Sequence, residues 1–114
     1  MSENDVLYRH LRDDKNVPYA TLAMIYKGDT AYIAASLCNK SDNFSYARGR
    51  EIANYRLNAL LNGKVPQQLV AVYKDVDSFD QAENILHNIY IVPYYNVKTG
   101  LNYYKLSTLM ESHE

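Results

Sequence analysis

Hydrophobic and polar positions alternate with a period of two along the first third of the chain, change to a helical period in the middle, and alternate again near the end. Residues 6–12 place Val6, Tyr8 and His10 on one side and Leu7, Arg9 and Leu11 on the other, which predicts a strand followed by the polar loop 13–16. In residues 19–27 and 30–37, Ala20, Leu22, Met24 and Tyr26 and then Ala31, Ile33, Ala35 and Leu37 each fill one face of a strand. The Gly28-Asp29 pair between them supplies the positive φ of a two-residue hairpin turn.

Residues 42–62 follow a helical period, with Gly63 and Pro66 beyond as stop signals. A strand is expected over 68–74. Ser78 with Gln81 three positions on forms a capping box, and Phe79, Ala82, Ile85, Leu86 and Ile89 make one helical stripe after it. Two last strands, 89–95 and 101–106, flank a turn at 96–100, and Pro93 confines its strand to an edge or a bulge. The expectation is an α+β fold: an antiparallel β-sheet from residues 19–37, 68–74 and 89–106, packed by one long and one short α-helix, with the long helix over one face. Leu22, Met24, Ile33, Leu37, Ala53, Leu57, Leu60, Val70 and Val72 are its expected core. Residues 1–114 read as a single domain with loose tails at 1–5 and 107–114.

A chain of 114 residues buries roughly two thirds of its unfolded surface, enough for one core. No apolar run approaches the ~20 residues of a membrane span, and the acidic start at Met1, Ser2, Glu3, Asn4 and Asp5 is unlike a signal peptide. Cys38 is the single cysteine, so no intrachain disulfide forms; a reducing, cytoplasmic setting is expected. The net charge of −1 argues against binding nucleic acid through summed phosphate contacts, so an anion site has to be local. Twelve Tyr against two Phe and no Trp suit either half-buried strands or wet interfaces.

Candidate chemistry is sparse. His10, His87 and His113 are scattered and Cys38 stands alone, so no metal site or cofactor is expected. No Gly-rich phosphate loop occurs; Lys27, Gly28, Asp29 and Thr30 are a hairpin turn. Cys38 paired with His10 or His87 is a conceivable nucleophile, but a lone thiol at a strand end is more often buried. Asp75, Asp77, Asp80 and Glu83 oppose the positive end of the second helix without any catalytic role. The chain reads as a non-enzyme.

Residues 39–57 stand apart. From 40 to 64 the chain carries five basic residues against two acidic ones, a local +3. Arg48 and Arg50 lie in the first turns of the long helix, where the dipole disfavours cations. An anion held there by Lys40, Ser41, Ser45 and the arginines would remove the conflict. On a helical wheel Tyr46, Gly49, Ala53, Leu57 and Leu60 form the apolar stripe, flanked by Ile52 and Ala59 and by Leu61, while Arg50 and Arg56 fall inside this arc. Guanidinium groups at a core rim need carboxylates, a neighbouring protomer or an anionic ligand, unless their stems snorkel to water. Gly49 inside a helix suggests a close approach, at a helix crossing or a dimer contact.

The run Cys38-Asn39-Lys40-Ser41-Asp42-Asn43-Phe44-Ser45, followed by Gly49-Arg50-Glu51-Ile52-Ala53 and Arg56-Leu57, resembles small tailed-phage accessory, early-gene proteins. In these a hairpin strand runs through a polar segment into a helix of this pattern. The resemblance covers residues 38–57 and implies a phage origin, action in the host cytoplasm, and counter-defence, by sequestering a nucleotide signal or blocking a defence protein.

Two functions of different class follow. In one, a binding protein captures a phosphate-bearing nucleotide without turning it over, with Lys40, Arg48, Arg50 and Arg56 as charges, Ser41 and Ser45 as donors, and Phe44, Tyr46 or a Tyr from 94, 95, 103 and 104 stacking on the base. In the other, the Tyr-rich C-terminal hairpin binds and inhibits a host defence protein. Direct nucleic-acid binding by the basic helix ranks third. A homodimer or higher homo-oligomer is expected in each case, because Gly49 and the Tyr-rich edge hairpin both suggest a second chain.

Overall fold

The computed structural model describes residues 5–38, 43–64 and 69–108. The element order is β1 (Leu7–Arg12), β2 (Pro18–Lys27), β3 (Thr30–Leu37), α1 (Tyr46–Leu61), β4 (Val70–Tyr73), α2 (Phe79–His87), β5 (Ile89–Asn96) and β6 (Leu101–Thr108). This is an α+β fold with antiparallel sheets, and every element expected from the sequence is present. No helix among the described residues is long and apolar enough to cross a membrane.

Strands β1 to β4 form one antiparallel sheet in sequence order. The β2–β3 turn is built on Gly28 at φ +65°, the conformation a type II′ hairpin requires at its first central residue. Strands β5 and β6 pair only with each other and form a separate two-stranded sheet. That corrects the expectation that 89–106 would join the main sheet, and it satisfies Pro93 on an edge strand. Ser107 and Thr108, expected in a tail, instead complete β6, where Thr108 pairs with Ile89 and is buried.

Both faces of the main sheet are covered, which accounts for the unbroken buried run Ala20 to Met24 in β2. One face carries the larger residues: Leu11, Leu22, Met24 and Ile33 pack with Ala82, Ile85 and Leu86 of α2 and with Ile89 and Leu106 of the hairpin. The other carries Ala23 and Ala34, against which Ala53 and Leu57 of α1 pack. Leu22, Met24 and Ile33 therefore belong to the core under α2 rather than under the long helix. Alternation places these residues on one face, but it does not say which helix will cover that face. Val72, expected in the core, is 42% exposed on edge strand β4.

Small residues let α1 approach closely. A Cβ on Gly49 would overlap the Thr21 hydroxyl and come within 3.2 Å of Thr21 Cβ. The close approach read from Gly49 is thus to a β2 side chain of the same chain. Arg9 fastens β1 to the other layer, donating from one guanidinium nitrogen to the carbonyls of Leu86 at 2.9 Å and Ile89 at 3.2 Å. Leu86 lies in the last turn of α2, at its negative end, so a cation suits that position, while Ile89 opens β5. Ser78 caps α2 by accepting from the Gln81 N–H, and Gln81 Oε1 accepts from the Asp77 N–H.

Candidate functional site

The sequence dictates the start of α1 locally. Ser45 has extended backbone angles, and its hydroxyl accepts from the Arg48 N–H at 3.2 Å, the geometry of an N-cap. No acidic residue occupies the first turn of α1, so its positive end is left uncompensated by its own side chains.

Against this first turn lies the edge strand β1. His10 is the centre of the contact: its ring meets Tyr46 edge-on with centroids 4.6 Å apart and Phe44 at 5.9 Å, and Phe44 and Tyr46 meet each other at 5.0 Å. Such edge-to-face pairs place a positive ring edge on a negative face and add about 0.5–1.5 kcal/mol each beyond burial. The Nδ1 of His10 is 2.9 Å from the hydroxyl of Thr21, which leaves Nε2 for another partner. Arg12 reaches across the same cluster, donating to the Tyr46 hydroxyl at 2.9 Å and to the Asn16 carbonyl at 3.1 Å. A register shift between Leu11 and Arg12 precedes this reach, and bulges commonly re-aim side chains in this way.

The electrostatics of the cluster are one-sided. The His10 pKa is lowered by burial first, then by the positive charges of Arg50 and Arg12. Neither arginine is ion-paired among the described residues; the ion pair there joins Arg48 to Glu51, at 3.5 Å, between two well-exposed side chains. An exposed pair of that kind contributes little. Arg12 and His10 thus meet two aromatic rings, with the charge of Arg50 also acting on His10 and no ion-paired carboxylate on either arginine among the described residues.

On the other side of Phe44 lies a depression of about 190 Å³, lined among others by Ser36, Cys38, Ser45, Arg48 and Ile52. Ligand clefts for drug-sized molecules run from roughly 300 Å³ upward. The depression therefore accommodates a ring or a phosphate but not a whole nucleotide.

The structure divides the residues singled out in the sequence. Phe44 and Tyr46 join the cluster with β1, the charge of Arg50 acts on His10 there, and Ser45 and Arg48 line the depression beside Phe44. Arg56 is not brought to either place, because it donates to the Ala35 carbonyl of β3 at 2.7 Å and ties α1 to the sheet. Lys40 and Ser41 lie outside the described residues. His10, Arg12 and Thr21 were missed. Their signal was the polar side of the alternating strand at 6–12, but nothing local indicates that this side meets a helix some 35 residues downstream.

No group of three or more His, Cys, Asp and Glu among the described residues is placed to hold a metal ion. No protein-family model, curated protein or solved structure matches the chain.

Proposed function

We propose that the chain is a non-catalytic binding protein for a phosphate-bearing nucleotide, with the phosphate against Arg12, Arg50 and His10 and the base against Phe44 or Tyr46. The observation that carries this reading is the meeting of Arg12 and His10 with Phe44 and Tyr46 at the first turn of α1, where Arg12 donates to the Tyr46 hydroxyl at 2.9 Å and neither Arg12 nor Arg50 is ion-paired among the described residues. Arg12 is exposed and Arg50 half-buried, so both charges are open to an anion, and a bound phosphate would offset their mutual repulsion. A guanidinium pair gives charge-assisted, fork-shaped donors, and the neutral imidazole adds an N–H. The phage resemblance supplies the setting: capture of a nucleotide signal in the host cytoplasm as counter-defence.

A thermal-shift screen with mono-, di- and cyclic nucleotides tests the proposal. A ligand at 100 times its Kd adds about 2.7 kcal/mol of stability. Stabilisation that disappears in Arg50→Ala supports the reading, and a flat response to every nucleotide refutes it.

A second reading is favoured by the outer end of the β5–β6 hairpin, where Tyr95, Val97, Leu101 and Tyr104 are all exposed. Such a surface suits a protein contact, either with a defence protein or with a second copy of the chain. A monomer by light scattering at high micromolar concentration, unchanged by Tyr104→Ser, would remove self-association from this reading.

A further inference from the structure

We infer that the site takes two linked nucleotides, the second laid along β1 with its base on Tyr8; this rests on the nucleotide-binding reading above. On β1, Leu7 and Leu11 pack under the α2 side of the sheet and Arg9 bonds to the end of α2. Tyr8 and His10 therefore share the face turned toward α1, and Arg12, beyond the register shift, reaches the same side through its bond to the Tyr46 hydroxyl. Side chains two apart on a strand stand about 6.8 Å from each other, a step comparable with that between successive phosphates of an extended nucleotide chain.

Tyr8 is unlike the tyrosines that the fold employs. Tyr26 donates its hydroxyl to the Val76 carbonyl and Tyr46 is held by Arg12. Tyr8 makes neither a hydrogen bond nor a ring contact among the described residues, the residue is 38% exposed, and its cross-strand neighbour is the small Ala23. The outer side of β1 is a sheet edge, so the approach to this strip is open among the described residues. A cation and aromatic rings follow one another along it: Arg12 beside Tyr46, then His10, then Tyr8. That is the composition of a surface that tracks a phosphate backbone and stacks successive bases. The depression beyond Phe44, at about 190 Å³, is too small for the second nucleotide.

Isothermal titration calorimetry of the full chain with adenosine 5′-monophosphate and with the 5′-phosphorylated dinucleotide pApA, at low ionic strength, tests the inference. The dinucleotide is expected to bind about tenfold more tightly or better, the typical worth of one stacked base. Tyr8→Ala should remove that advantage and leave mononucleotide binding unchanged, with an unaltered circular dichroism spectrum. If pApA binds no better than the mononucleotide, or keeps its advantage in Tyr8→Ala, the second nucleotide does not lie on β1 and the inference is overturned. Mononucleotide binding that still depends on Arg50 would leave the function above standing in that case. If neither ligand binds, both fail. A ten-residue oligoadenylate separates the two sources of this chemistry: binding as tight as pApA identifies a single strand, and exclusion identifies a free dinucleotide.

Discussion

The imidazole of His10 and the hydroxyl of Thr21 are 2.9 Å apart, and the Thr21 side chain is fully buried beneath Gly49 of α1. One contact thereby links the edge strand, the neighbouring strand and the helix whose first turn completes the cluster. Its consequences for stability and for binding are separable.

Gly49→Ala sets two effects against each other. Alanine gains about 1 kcal/mol of helix propensity over glycine. The added methyl, however, overlaps the Thr21 hydroxyl, and overpacking a closed contact costs typically 1–3 kcal/mol. Net destabilisation by urea unfolding is expected, and a more stable variant would show that the helix shifts freely at this point.

Arg56 and Arg50 are expected to part company. Arg56→Ala removes a 2.7 Å bond to the Ala35 carbonyl and should cost roughly 1.5–3 kcal/mol, the range for hydrogen bonds to charged groups, without altering nucleotide affinity. Arg50→Ala should leave the urea midpoint unchanged or raised and abolish the nucleotide-induced shift. Equal loss of binding in both variants would place the ligand on the other flank of α1.

The titration of His10 follows from its surroundings. Its folded pKa lies below the ordinary value through burial and the charges of Arg50 and Arg12. At pH above the unfolded value both states are neutral and the residue has no effect on stability. As pH falls through the unfolded value the unfolded chain takes up the proton first, so stability declines, and the decline ends below the folded pKa. Arg50→Ala and Arg12→Ala should each raise the His10 pKa, measured from its ring-proton shift in an NMR titration. A bound phosphate should raise it too, so affinity should increase as pH falls toward that value.

Arg9 offers a test outside the site. Its two bonds, to the Leu86 carbonyl of α2 and the Ile89 carbonyl of β5, join β1 to that layer, and Arg9→Ala should destabilise the chain by about 1–3 kcal/mol. Hydrogen exchange should quicken first in α2. Unchanged protection there would mean that water replaces the guanidinium without loss.

Much of the fold was legible because its signals are local. Alternation gave β2 and β3, Ser78 with Gln81 gave the start of α2, and Gly28 gave the hairpin between the strands. What escaped was long-range. Leu22 and Ala23 are adjacent, and nothing in the sequence says that the face with alanines, being the smoother, receives the long helix. The separation of β5–β6 from the main sheet has no local signature either. In the site, the charge anomaly at the start of α1 draws attention to a segment whose Phe44 and Tyr46 pack on His10. It also drew in Arg56, whose partner is a backbone carbonyl that no side-chain pattern reveals.

The proposed anion site of Arg12, Arg50 and His10 is tested by calorimetric titration of adenosine 5′-monophosphate into wild type and Arg12→Ala/Arg50→Ala at pH 6. Measurable binding by the wild type, weakened by added salt, is expected, with at least about a hundredfold loss in the double variant, the sum of two charge-assisted contacts. Equal affinity in the two proteins, or no binding by a folded wild type, would contradict it.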